Sequence, residues 1–280
     1  MNNQYYRPTG FRILPPVVKN LLILNGLFFL ATISFDRAFH INLTEKLGLH
    51  YFASEAFSPY QFITYMFMHG GMAHIFFNMF ALWMFGNALE NIWGPRRFLI
   101  YYIVTGIGAA LVHYIIFYFE VTPVLAAINA FQQTPSLDSF EAFINSSNFQ
   151  VVSEEIKNNF NGFIQEYSRN RLSDPQRSLQ LAMDFMSQYR IDFLNAPVVI
   201  GASGAVFGIL LAFGMTFPNS LIYLYFAIPI RAKYFVILYG VLELFSGIYK
   251  TGSNVAHFAH LGGMFFGYLL LLYWKKHKRY

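Results

Sequence analysis

Gly201-Ala202-Ser203-Gly204-Ala205-Val206-Phe207-Gly208 is the stretch whose reading decides the fold. It lies inside an apolar run, Val198 to Phe217, that is long enough to cross a bilayer. Its single hydroxyl, Ser203, is flanked by residues with almost no side chain. Small residues let a second helix come close. A serine in that setting is either packing filler or a nucleophile presented to a partner on the neighbouring helix. The rest of the chain has to supply that partner.

Composition sets the class. Of 280 residues, 56% are hydrophobic and 12% charged, and the mean hydropathy is +0.41. These values suit a polytopic membrane protein rather than a soluble domain. There is no cysteine, which excludes disulfides and thiolate chemistry. The net charge of +5 is unevenly spread: residues 120–196 hold nine acidic and five basic side chains, the remainder five and fourteen. A basic balance beside bilayer spans suits anionic headgroups. No interleaved basic and aromatic patch is present, so nucleic acid is not an expected partner.

Working outward gives six expected spans. Residues 1–16 form a polar N-terminal tail, and no small-residue cleavage site follows the first apolar run, Val17 to Phe35, which is therefore expected to be retained. Asp36 to Tyr60 reads as an amphipathic connection at the bilayer surface. The second span runs from about Met72 to Leu89, and Gly94-Pro95 makes the turn into the third, Phe98 to Phe119. Residues 17–119 thus form the first half of the body, and residues 120–196 a polar insertion with helical periodicity at Ser153–Tyr167 and Pro175–Phe193. Residues 197–274 complete the body: Val198–Phe217, a surface connection at Ser220–Ile230, Tyr234–Ile248, a Gly/Ser loop at Tyr249–Asn254, and Val255–Trp274. A basic tail, residues 275–280, follows.

Six spans put both termini on one side. Arg7, Arg12, Lys19, Arg96, Arg97, Arg231, Lys233 and the basic tail then share a face, against only Arg37, Lys46 and Lys250 in the opposite short loops. The positive-inside rule places that face in the cytoplasm and the insertion outside. A bacterial inner membrane is the expected setting. With the fourth span entering from outside, Ser203 is expected about two helical turns below the outer surface.

Ionisable groups inside spans are costly, so they are functional candidates. His260, Gly263 and Gly267 form one helical stripe, giving the sixth span a close-contact groove with an imidazole at its outer end. Ser203 and His260 lie at matched depth on glycine-rich faces, which favours a Ser–His pair. His74 and Asn78, four apart on one face of the second span, supply donors for a developing oxyanion, with the Ser203 backbone N–H as a third. His69 and His74 do not share a helix face, and no carboxylate cluster accompanies them, so neither metal nor cofactor is expected.

These residues resemble the three signatures of rhomboid intramembrane serine proteases: Gly201-Ala-Ser203-Gly, Ala-His260-Leu-Gly-Gly…Gly267, and His69…His74-Ile-Phe-Phe-Asn78. The resemblance implies an all-α, six-transmembrane-helix rhomboid bundle, here with a helical extramembrane insertion. It implies Ser203 as nucleophile and His260 as general base, a dyad without a carboxylate, with His74 and Asn78 as oxyanion stabilisers. Gly201 matches the glycine before the nucleophile. Phe207 falls where the family often has a tyrosine stacked on the catalytic imidazole. His69 is expected to support the site. Two histidines compete for the base: His260 has the family spacing before the glycine stripe, and His257, one turn outward on the same face, is expected to be a water-retaining or supporting polar group. Glu90 is expected to be structural, pairing near Arg96 or Arg97. Tyr60-Gln61 replaces the family's Trp-Arg pair, which questions how the first outer loop is anchored. The implied substrates are transmembrane proteins in the lipid bilayer, with the fifth span and the Tyr249–Asn254 loop as gate and cap. Two other classes compete: a catalytically inactive rhomboid-like protein that binds membrane clients, and a transporter, which would show paired repeats or several mid-membrane charges where only Glu243 qualifies.

Overall fold

A computed structural model describes residues 12–196, 198–224, 228–249 and 255–277. Helix α1 spans Pro16–Phe39. Proline at its first position pre-sets the backbone angle without losing a needed donor. Its N-terminus is closed from a distance: the Glu90 carboxylate accepts the Val17 and Val18 N–H groups at 2.9 and 2.8 Å. A negative group there also meets the positive end of the helix dipole. Glu90 is thus a helix cap rather than the expected partner of Arg96 or Arg97.

Helix α2, Met72–Trp93, starts where expected and contains a π-helical turn at Leu82–Gly86. Helix α3, Pro95–Gln133, is 39 residues long, roughly 58 Å at 1.5 Å per residue. That is well beyond a hydrocarbon core of about 30 Å. The expected end of the third span near residue 120 therefore falls inside a continuous helix. The C-terminal part of α3 is not left to solvent. Val121, Val124, Ile128 and Phe131 are buried against α4 (Leu137–Ile144), α5 (Glu154–Asn170) and α6 (Pro175–Asn195). Ser136, Ser153 and Asp174 cap these three helices with their side chains. Their apolar stripes converge on an aromatic core, with Phe163 stacked on Phe185 at 4.5 Å. This core is separate from the one beneath the glycine-rich helices.

The largest departure from expectation concerns Val198–Phe217. The run is not one helix: α7 covers only Ser203–Thr216, and the chain before it is extended. Leu49 and Val199 exchange backbone hydrogen bonds at 2.9 Å, and the Gly201 N–H donates to the Tyr65 carbonyl at 2.9 Å. Ser203 is therefore the first residue of its helix, rather than lying within a helix that starts near Val198. After α7, residues expected to be a plain connection form an antiparallel hairpin, β1 (Leu221–Leu224) with β2 (Ile228–Arg231). The fold is mostly helical rather than purely so. Helices α8 (Ala232–Tyr249) and α9 (Val255–Lys276) complete the described chain. By length and composition α1, α2, α3 and α8 can each cross a membrane. Lys250–Asn254, most of the expected cap, lie outside the described residues, as do Arg7, Lys278 and Arg279.

Candidate active site

Missing side chains set the distance between α7 and α9. A Cβ on Gly263 would fall 1.9 Å from the Gly204 carbonyl oxygen and 2.7 Å from its carbon. Backbone meets backbone here, as small-residue stripes allow. At the top of this seam Ser203 Oγ and His260 Nε2 lie 2.8 Å apart. The His260 ring lies flat on Phe207, with centroids 4.2 Å apart and planes within 5°. The structure thus brings Ser203, His260 and Phe207 together.

The other face of His260 chemistry is occupied by a group that the sequence reading left aside. Glu243, on α8, places Oε2 at 3.0 Å from His260 Nδ1 and 2.7 Å from His257 Nδ1. A carboxylate only accepts, so each Nδ1 donates. The neutral His260 ring then offers its Nε2 lone pair to the Ser203 hydroxyl. A hydroxyl bonded to an imidazole acceptor is the arrangement of an activated nucleophile. His257 sits one turn towards the N-terminus of the same helix and shares the carboxylate.

Gly201 organises the opposite wall. Its φ of +122° is open to glycine and strained for other residues. A Cβ there would lie 2.8 Å from His74 Nε2 and 3.6 Å from Ser203 Oγ. The bare backbone is what lets the His74 ring stand beside the serine. The Gly70 N–H donates to His74 Nδ1 at 3.4 Å, which leaves the ring proton on Nε2, the nitrogen facing Gly201 and Ser203. Asn78 is buried one turn further along α2, its amide donating to the His74 carbonyl at 3.0 Å. His69 is buried and meets the His74 ring edge-on, with centroids 5.0 Å apart. Because Ser203 opens α7, the backbone N–H groups of its first turn have no helical partner. They carry the positive end of the helix dipole, which attracts negative charge.

Two further contributors were not legible in sequence. Gln61, wholly buried, accepts the N–H groups of His50 and Ser58 and donates to the carbonyls of Lys46 and Ala56. It gathers the loop between Lys46 and Gln61 without the charged side chain the resemblance implied. Tyr65 holds Gly201 through its carbonyl, and its hydroxyl donates to Gly106 on α3 at 2.7 Å. His113 lies elsewhere, stacked on Phe117 at 6.0 Å. For a cation, Glu243, His257 and His260 offer three ligand atoms within 4.8 Å of one another, the one such group among the described residues. Those same atoms are engaged in the hydrogen bonds above.

A family model described as Rhomboid domain matches residues 56–124 and 179–277. The chain is 36% identical over 56 residues to the rhomboid protease GluP of Bacillus subtilis. It is 34% identical over 92 residues to an uncharacterised mitochondrial rhomboid protein of Schizosaccharomyces pombe. These alignments cover 20% and 30% of this chain, and only 11% and 24% of the two relatives.

Proposed function

This chain belongs to the rhomboid family of membrane proteins, and from that premise we propose that it is an intramembrane serine endopeptidase that cuts transmembrane proteins within the bilayer. One observation carries the reading: the 2.8 Å contact between Ser203 Oγ and His260 Nε2 across the glycine seam. In the proposed reaction His260 takes the Ser203 proton as Oγ attacks the scissile carbonyl, giving an acyl-enzyme that water then hydrolyses. His74 Nε2–H, the Asn78 amide and the free N–H groups at the start of α7 are the proposed oxyanion donors. A segment still helical hides its carbonyls in backbone bonds, so the cleaved stretch must be extended.

The proposed setting is a bacterial inner membrane, six spans, both termini cytoplasmic, and residues 120–196 outside. Short-loop cations support the orientation. The separate aromatic core of the insertion supports its standing apart from the bundle. Fluorophosphonate labelling in proteoliposomes tests the activity. Wild-type protein is expected to be labelled at Ser203 and to cleave a transmembrane reporter, and Ser203→Ala to do neither while staying folded. A folded wild type that resists labelling would instead fit an inactive client-binding protein.

A further inference from the structure

Rhomboid-type chemistry as implied by the motifs needs only a serine and a histidine, yet this site holds a third polar group in line. Ser203 Oγ, His260 and Glu243 Oε2 form an unbroken chain, 2.8 Å at Nε2 and 3.0 Å at Nδ1. Resting on the protease reading, we propose that Glu243 is a positioning residue that completes a Ser203–His260–Glu243 triad.

The reason is what Phe207 cannot do. Stacking on an apolar ring fixes the plane of the imidazole. It offers no polar atom, so it does not decide which nitrogen carries the proton. A proton on Nε2 would block that nitrogen from accepting the serine hydrogen. The carboxylate oxygen at Nδ1 holds the proton there and leaves Nε2 free. When Oγ attacks, its proton moves to Nε2, the Nδ1 proton stays in place, and the carboxylate keeps its charge beside the new imidazolium. The His260 and Glu243 side chains are only 18 and 15% exposed, so water weakens this attraction less than at a surface. His257, three residues before His260, donates to the same oxygen at 2.7 Å and pins the carboxylate in turn. Glu243 comes from α8, the two histidines from α9, so the contact also fixes how the fifth and sixth expected spans face each other.

Two measurements test this, both on full-length protein in detergent with EDTA to keep the three ligand atoms free of cations. In the first, kcat and KM for a transmembrane reporter are compared among wild type, Glu243→Gln and Glu243→Asp. The expected result is a fall in kcat of at least about 10²-fold for Glu243→Gln with KM held, and partial recovery in Glu243→Asp. A folded Glu243→Gln protein with wild-type kcat overturns the proposal; a role confined to holding helices together would lower the thermal midpoint and leave kcat per folded molecule alone. In the second, wild-type protein labelled with ¹⁵N-histidine is examined at a pH where the rings are neutral, with His260→Ala assigning the signals. A proton on His260 Nδ1 supports the triad, and a proton on Nε2 refutes it, whether or not any variant folds. Wild-type protein that shows the Nδ1 proton but neither labels nor cleaves would sink the protease reading while leaving the Glu243 contact standing.

Discussion

Replacing Gly263 with alanine puts one methyl group into the seam between α7 and α9. The new carbon would lie 1.9 Å from the Gly204 carbonyl oxygen, 2.7 Å from its carbon and 3.3 Å from its Cα. All three are backbone atoms, so no side-chain rotation relieves the clash. Contacts under 3.0 Å are essentially never made by a real Cβ, so the helices must part by about 1.1 Å at that level. Gly204 is bonded to Ser203, and the displacement therefore reaches Oγ. Adding it to the 2.8 Å contact with His260 gives a separation of about 3.9 Å, outside hydrogen-bonding range. A misplacement near 1 Å costs about 10²-fold in rate, and overpacking about 1–3 kcal/mol in stability. The assay is the initial rate of fluorophosphonate uptake by Ser203, read beside the thermal midpoint in detergent. Gly26→Ala is the companion, because nothing lies within 4 Å of a Cβ at that position on α1; it is expected to label at the wild-type rate. If Gly263→Ala labels as fast as wild type with an unshifted midpoint, the close approach of the two helices is not as described here.

Gly201→Ala is expected to cut labelling by about 10²-fold or more, since it combines a strained φ with a methyl 2.8 Å from His74 Nε2; normal labelling would show that His74 need not stand there. Glu90→Gln turns one acceptor at the start of α1 into a donor facing a donor, and should lower stability by about 1–3 kcal/mol without changing labelling per folded molecule. In the insertion, hydrogen bonds from Arg171 and then Tyr167 hold the Glu141 carboxyl below its ordinary value of 4.5. That contribution is fully present above 4.5 and fades as pH falls through the lowered value, so limited proteolysis should nick the insertion more readily in acid. Arg171→Leu should flatten this pH dependence, and an unchanged profile would remove Glu141 from the account.

The starts of several apolar helices could be read with little loss. Met72, Ala232 and Val255 open helices close to where hydropathy and turn residues placed them. Such signals are local, because a bilayer span and a helix stripe are written in consecutive residues. The close approach of the helices that carry Ser203 and His260 has a related signal: glycines spaced along each helix announce a close neighbour before the neighbour is known.

What the sequence determined alone was therefore a membrane body with a glycine-lined seam, a serine and an imidazole on either side, and a polar insertion. Only the tertiary structure decided that Ser203 starts its helix, because the residues before it are held extended by Leu49 and Tyr65 from far upstream. It alone showed that α3 runs on into the insertion, whose helices cover the apolar face left beyond residue 120. It alone turned Glu243 from a stray charge into the partner of two histidines, and Glu90 into the cap of α1. Each of these depends on a contact, polar or apolar, between groups remote along the chain. Periodicity reveals which face of a helix is apolar; it carries no record of which distant donor meets which acceptor.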